Sequence, residues 1–267
     1  MSKIVSKIHS KDGTAIAFER MGEGPALILV DGALCSRSFG PMPKLAPLLA
    51  RHFTVLIYDR RGRGDSGDTK PYAREREIED LEALVREAGG SACVLGLSSG
   101  AALALEAAAR GLNIRRLAIY EPPFMVDDGG HHASAGHEQQ LNQLVAAGRR
   151  GKALTYFMRK MVGIPAIFVF LMRLIPGVWS KLKAVAHTLP YDAAVMGDWS
   201  VPARRLATIT IPTLAAYGEK TDARLRRAVE AVVAAMPGAQ LGTLRGQTHN
   251  VNPAVLAPVL VEFFAGR

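Results

Sequence analysis

The pentapeptide GLSSG, residues 96–100, sets two adjacent serines between glycines. Ser98, at the centre of Gly-x-Ser-x-Gly, is a candidate nucleophile, and a serine hydroxyl attacks a carbonyl only when a base takes its proton. His249, in GQTHN (246–250), is the candidate base. A carboxylate must then orient the imidazole. Two acids compete for that role. Asp222 follows the apolar run IPTLAAYG (211–218) and precedes His249 by 27 residues, while Glu121 ends the run RRLAIYE (115–121). Asp222 is the leading candidate, although a second use is open to it as the cap of a helix starting near Ala223. With 26 glycines in 267 residues the Gly-x-Ser-x-Gly match is weak alone, so the elements around it decide its meaning.

Those elements are regular. Two short β-like runs, KIVSKIHS and TAIAFERMG, meet at Asp12-Gly13, a hairpin-turn signal. PALILV (25–30), FTVLIYD (53–59) and ACVLGL (92–97) are continuous apolar runs, as expected of strands covered on both faces. Helical patterns lie near 43–50, at 76–88 with Ile78, Leu81, Leu84, Val85 and Ala88 on one face, and at 99–111, which is rich in alanine. RRLAIYE is a fourth buried strand. The alternation then stops from 124 to 205, where helices and loops are expected. It resumes with the strand 211–218, a helix at 223–236, the strand AQLGTLRG (239–246) and a helix at 253–265. Alternating strands and helices predict an α/β fold with a mostly parallel central sheet and helices on both faces. Ser98 then falls between strand and helix, and the Ser99 N–H opens the helix facing a developing oxyanion.

Composition narrows the function classes. A chain of this length buries roughly 70–75% of its unfolded surface without disulfide or metal staples. Its two cysteines, Cys35 and Cys93, have no metal-ligand spacing. The net charge of +9 raises nucleic acid as a partner, yet the basic residues read as scattered and interleaved with acids, as in AREREIEDLEALVREAGG (73–90). Solvated helix faces account for that pattern, and no nucleic-acid partner is expected. IPAIFVFLMRLIPGVW (164–179) is apolar but interrupted by Pro165, Arg173 and Pro176, short of the ~20 residues of a membrane span. The first 30 residues lack a signal core, so a cytoplasmic location is expected. RRGRGDS (60–66) lacks the Lys-Ser/Thr ending of a phosphate loop, and Asp59, Arg60 and Asp65 are expected to pair there as a brace. HHASAGH (131–137) reads as a solvated loop, not a metal site.

Taken together, GLSSG, YDRRGRGDSG (58–67), VDGALCSR (30–37) and GQTHN resemble the α/β-hydrolase family, in its group of small esterases, lactonases and cofactor-free perhydrolases. The resemblance implies an α/β-hydrolase core formed by 1–122 and 206–267, with 123–205 inserted as a helical cap. It implies a small-molecule substrate, no cofactor and an oxyanion hole from the Ala33 and Ser99 amides. Two departures stand out. Asp31-Gly32 replaces the usual His-Gly, and Thr221 occupies the usual position of the acid, with Asp222 one place later. Some family members carry the acid where Glu121 stands. Cys35 either lines the pocket or is a small buried residue. The expected activity is hydrolysis of small hydrophobic carboxylic esters or lactones, carboxylesterase-like. A lyase, cyclase or acyltransferase, or a silent ligand-binding receptor, is the alternative.

Overall fold

Asp12 and Gly13 close the first hairpin: Gly13 takes φ of 80°, and Asp12 Oδ1 accepts from the Thr14 N–H at 3.0 Å. In the computed structural model, which describes residues 5–126 and 136–266, β1 (Val5–His9) thus pairs antiparallel with β2 (Ala15–Met21). The chain continues through β3 (Ala26–Val30), α1 (Met42–Leu49), β4 (Thr54–Tyr58), α2 (Arg74–Glu87), β5 (Ala92–Leu97), α3 (Ser99–Ala109) and β6 (Ile114–Tyr120). A helical segment follows: α4 (His137–Ala146), α5 (Arg150–Tyr156), a π turn (Phe157–Met161), α6 (Ala166–Leu174), α7 (Val178–Val185) and α8 (Leu189–Met196). Then come α9 (Ala203–Leu206), β7 (Thr213–Gly218), α10 (Ala223–Ala235), β8 (Ala239–Leu244) and α11 (Pro253–Phe264). The described strands form one sheet in the order β1-β2-β4-β3-β5-β6-β7-β8, parallel from β4 onward.

The continuous apolar runs are explained by burial on both faces. Along β3, Leu27 and Leu29 join one core while Ile28 and Val30 join the other, and along β5 Cys93 and Leu95 oppose Ala92 and Val94. The first core holds α1 and α11 through Leu45, Leu49, Leu256 and Leu260. The second holds α2, α3 and α10 through Leu81, Leu84, Leu103 and Val229.

One expectation fails on α2. Glu77 and Asp80 do not belong to a solvated charged face; they are buried because Arg60 and Arg61 meet them from the loop after β4. The brace in that loop is also wired differently from expectation. Asp59 and Asp65 are both held by Arg37, whereas Arg60 turns away to Glu77 and Asp192. Of the stretch 131–137, residues 131–135 lie outside the described residues. Among the described residues no helix is long and apolar enough to cross a membrane.

Candidate active site

Ser98 occupies a sharp turn from β5 into α3, with φ of 53° and ψ of −124°. The glycines of GLSSG permit it. A Cβ at Gly96 would stand 2.6 Å from Ala101 Cα, and one at Gly100 would collide with the Val30 carbonyl. Four non-glycine residues have positive φ among the described residues: Leu34, Ser98, Glu121 and Trp199. Leu34, Ser98 and Trp199 line the cavities at this turn, and Glu121 contacts the histidine there. Backbone strain therefore concentrates where a side chain must be held in a special direction.

The acid beside His249 is Glu121, not Asp222. Glu121 Oε2 accepts from His249 Nδ1 at 2.7 Å, and the carboxylate is wholly buried. Its other donors are the Gly218 N–H at 2.8 Å, to Oε1, and the Thr221 hydroxyl at 3.0 Å, to Oε2. Asp222 instead caps α10, its Oδ1 accepting from the Arg224 N–H at 2.7 Å and the Leu225 N–H at 3.4 Å. The reason is local: Asp222 has the extended backbone of a helix cap, φ −64° and ψ 146°, which engages its carboxylate with its own helix. Thr221, where the resemblance would place the acid, now donates to the carboxylate that has moved to the neighbouring strand end. The histidine loop is fixed from below. Tyr120 Oη–H donates to the Thr248 carbonyl at 2.6 Å, and the Lys220 N–H to the Gln247 carbonyl at 2.8 Å. The His249 side chain itself is 41% exposed, turned into the open pocket.

Ala33 and Ser99 both line the cavity with Ser98. Ser99 is the first residue of α3, so its N–H has no acceptor within the helix. The loop bearing Ala33 lies against the turn, for a Cβ on Gly32 would be 3.0 Å from Ser98 Cβ. Arg63 Nη1 donates to the Gly32 carbonyl at 2.6 Å. The peptide is planar and trans, so pinning that C=O turns the Ala33 N–H the opposite way.

Sequence reading alone does not find Asp192, on α8. Its Oδ1 accepts from the Ser99 hydroxyl at 2.8 Å and from Arg60 Nη1 at 2.8 Å, and its Oδ2 from Arg63 Nη2 at 2.7 Å. Burial would raise its pKa, but Arg63 and Arg60 outweigh burial and hold the carboxyl below its ordinary range. One carboxylate thus ties the first residue of α3 to the arginine that orients the Gly32–Ala33 peptide. No local motif announces it, since its partners lie 93 to 132 residues away.

Two adjoining cavities, of about 280 and 450 Å³, share Ala33, Ser98, Phe157 and His249. Met161, Met196 and Leu225 make the smaller one largely apolar, and Leu34, Ile164 and Leu182 the larger. Cys35 lines the larger cavity with its thiol pushed up by burial and by nearby Asp31.

Asp31 is buried, with Oδ1 accepting from the Gly32 N–H at 2.9 Å. Burial lifts its pKa to about 6 from 3.8, opposed only in part by Gly32, Cys35, Arg63 and Arg60. The folded state therefore holds this proton more tightly than the unfolded chain. That contribution is whole below about pH 3.8 and has gone above about pH 6, with an upper limit of about 3 kcal/mol. Asp31→Asn keeps the oxygen that Gly32 needs, so it is expected to melt above wild type at pH 8 and to lose that advantage at pH 4. Equal shifts at both pH values, measured by thermal unfolding, would contradict the assignment.

The profile of the Alpha/beta hydrolase family matches residues 27–259. The structure is similar to an alpha/beta hydrolase from Sphaerobacter thermophilus, with 53% identity, coverage of 97% of this chain and 100% of that one, and a TM-score of 0.90. It also shares its fold with an enol-lactonase from Burkholderia xenovorans (21% identity, 97% and 100% coverage, TM-score 0.72). A thermophilic esterase from Thermogutta terrifontis is similar too (20% identity, 98% and 98% coverage, TM-score 0.69). With the profile spanning most of its length, and strand order, turn and histidine loop in agreement, the chain belongs to the alpha/beta hydrolase family.

Proposed function

We propose that this enzyme is a serine hydrolase of small, hydrophobic carboxylic esters or lactones, with Ser98, His249 and Glu121 as its catalytic residues. The observation that carries this reading is the buried Glu121 carboxylate on His249 Nδ1, in a pocket that also holds the strained Ser98. With Nδ1–H committed to Glu121, Nε2 is the free base for the Ser98 hydroxyl. Ser98 Oγ attacks the carbonyl carbon, its proton passes to His249, and the Ala33 and Ser99 N–H groups receive the oxyanion. Collapse expels the alcohol, protonated by His249, and leaves an acyl-serine. Water, deprotonated by the same imidazole, then attacks the acyl-serine and releases the acid. The two cavities meeting at Ser98 suit an acyl group on one side and the alcohol part, or the rest of a lactone ring, on the other. Their apolar linings favour a hydrophobic substrate. In this reading residues 123–205 act as the cap that supplies much of those linings, including Phe157, Met161 and Leu182.

A series of p-nitrophenyl esters of increasing acyl length tests the reading. Wild type is expected to turn them over, and Ser98→Ala to fall by about 10⁴-fold or more. Tight binding of the esters without hydrolysis would replace the enzyme with a receptor, and activity retained in Ser98→Ala would remove Ser98 as nucleophile.

A further inference from the structure

Nine large apolar side chains stand exposed among the described residues, and seven of them fall between 162 and 175. Five are on the nine-residue helix α6: Ile167, Phe168, Phe170, Leu171 and Leu174. Phe168 is 57% exposed and Leu174 62%, while Val169 is the helix's buried residue, facing the core. Scattered exposed leucines are ordinary, but this many on about 14 Å of helix form a patch that marks a docking surface.

The charge around the patch is one-sided. Residues 139–191 contain eight Lys or Arg and no Asp or Glu, which leaves the other 214 residues with a net charge of +1. The basic residues scattered along the sequence therefore contribute almost their whole excess here. Arg159 and Lys160 on the π turn, Arg173 on α6, and Lys181 and Lys183 on α7 are all exposed. Arg173 binds these elements together: its guanidinium lies 4.8 Å from the Trp179 ring centre on α7 and donates to Thr155 Oγ1 on α5 at 2.8 Å.

An occupant of this surface must accept apolar side chains and neutralise cations at the same place. A second copy in a two-fold pair would set the same basic surface against itself. Nucleic acid would satisfy the cations and leave the phenylalanines and leucines in contact with phosphate. An anionic lipid surface meets both demands, with acyl chains beneath and phosphates at the level of the arginines and lysines. We infer that α6 lies in the plane of an anionic lipid surface, its phenylalanines and leucines among the acyl chains and the surrounding cations at the headgroups. Val162, at the edge of the patch, also lines both cavities at Ser98, so the docked face borders the pocket. The inference does not depend on the role of Ser98.

Co-sedimentation of the full chain with vesicles tests it without any activity assay. The chain is expected to partition at least ~10-fold more strongly onto phosphatidylcholine vesicles containing one-third phosphatidylglycerol than onto phosphatidylcholine alone, and to lose this in high salt. Phe168→Ser/Leu171→Ser/Leu174→Ser keeps every charge and is expected to lose about 10-fold of the binding, with an unchanged circular-dichroism spectrum. A blue shift of Trp179 emission on the anionic vesicles would support the placement. Equal binding to both vesicle types, or a triple variant that binds like wild type, would overturn it. So would a wild-type dimer that the triple variant dissolves while no vesicle is bound.

Discussion

Glu121→Gln is expected to lower kcat for ester hydrolysis by 10³- to 10⁴-fold while Asp222→Ala stays within a few-fold of wild type. The Glu121 carboxylate accepts three donors: His249 Nδ1–H, the Gly218 N–H and the Thr221 hydroxyl. An amide offers one oxygen and an NH₂ group in the same space. Its NH₂ must therefore face a donor, or force His249 to present an unprotonated Nδ1 and a protonated Nε2. The second outcome removes the base, and the first breaks the alignment of the ring. In both, the charge that stabilises the imidazolium during proton transfer is gone. Asp222→Ala removes only the cap of α10, a cost of about 1 kcal/mol in stability, read as a small drop in melting temperature. Comparable losses of kcat in the two variants would show that Asp222 reaches His249 during turnover.

Asp192→Ala is expected to destabilise the fold by about 3–5 kcal/mol, a fall in melting temperature of roughly 10 °C. The buried group of Arg60, Arg63, Glu77 and Asp192 is charge-balanced, and the substitution leaves it with an uncompensated cation. Arg60 keeps Glu77, whereas Arg63 is left with the Gly32 and Cys35 carbonyls and the Thr188 hydroxyl. Asp192→Asn, closer in shape, is expected to fold and to lower kcat about 10-fold with KM little changed. Its weaker grip on Ser99 and Arg63 loosens the Ala33 and Ser99 amides, which in the proposed mechanism receive the oxyanion and so matter more in the transition state than in substrate binding. A rise in KM at constant kcat would instead assign Asp192 to substrate binding, and a melting temperature within 1–2 °C of wild type for Asp192→Ala would remove its structural role.

How far the sequence reveals these features depends on whether the signal is local. The hairpin at Asp12-Gly13, the strand ending at Leu97 and the turn at Ser98 are each written in fewer than ten consecutive residues, and each is legible. The acid is harder. Tyr120 of β6 pairs with Ala216 of β7, so Glu121 and the residues after Gly218 emerge side by side beneath His249, and both acids follow a strand. What separates them is backbone conformation: a positive φ at Glu121 and a helix cap at Asp222, neither visible as residue type. The arginines after β4 lie beyond local reading for a different reason. RRGRGDS reads as a brace closed by its own aspartates, and only the folded chain brings Glu77, Asp80 and Asp192 to neutralise these arginines. The resemblance points to Ala33, but the arginine that orients its peptide shows only in three dimensions.

The proposed hydrolysis stands on Ser98 as a nucleophile activated by His249. A fluorophosphonate probe, followed by digestion and peptide mass spectrometry, measures this directly because its phosphorus is attacked only by an activated hydroxyl. One adduct per chain is expected, on the peptide carrying Ser98, absent in Ser98→Ala and formed much more slowly in His249→Ala. No adduct on the folded wild-type chain, or an adduct that persists in Ser98→Ala, would contradict it.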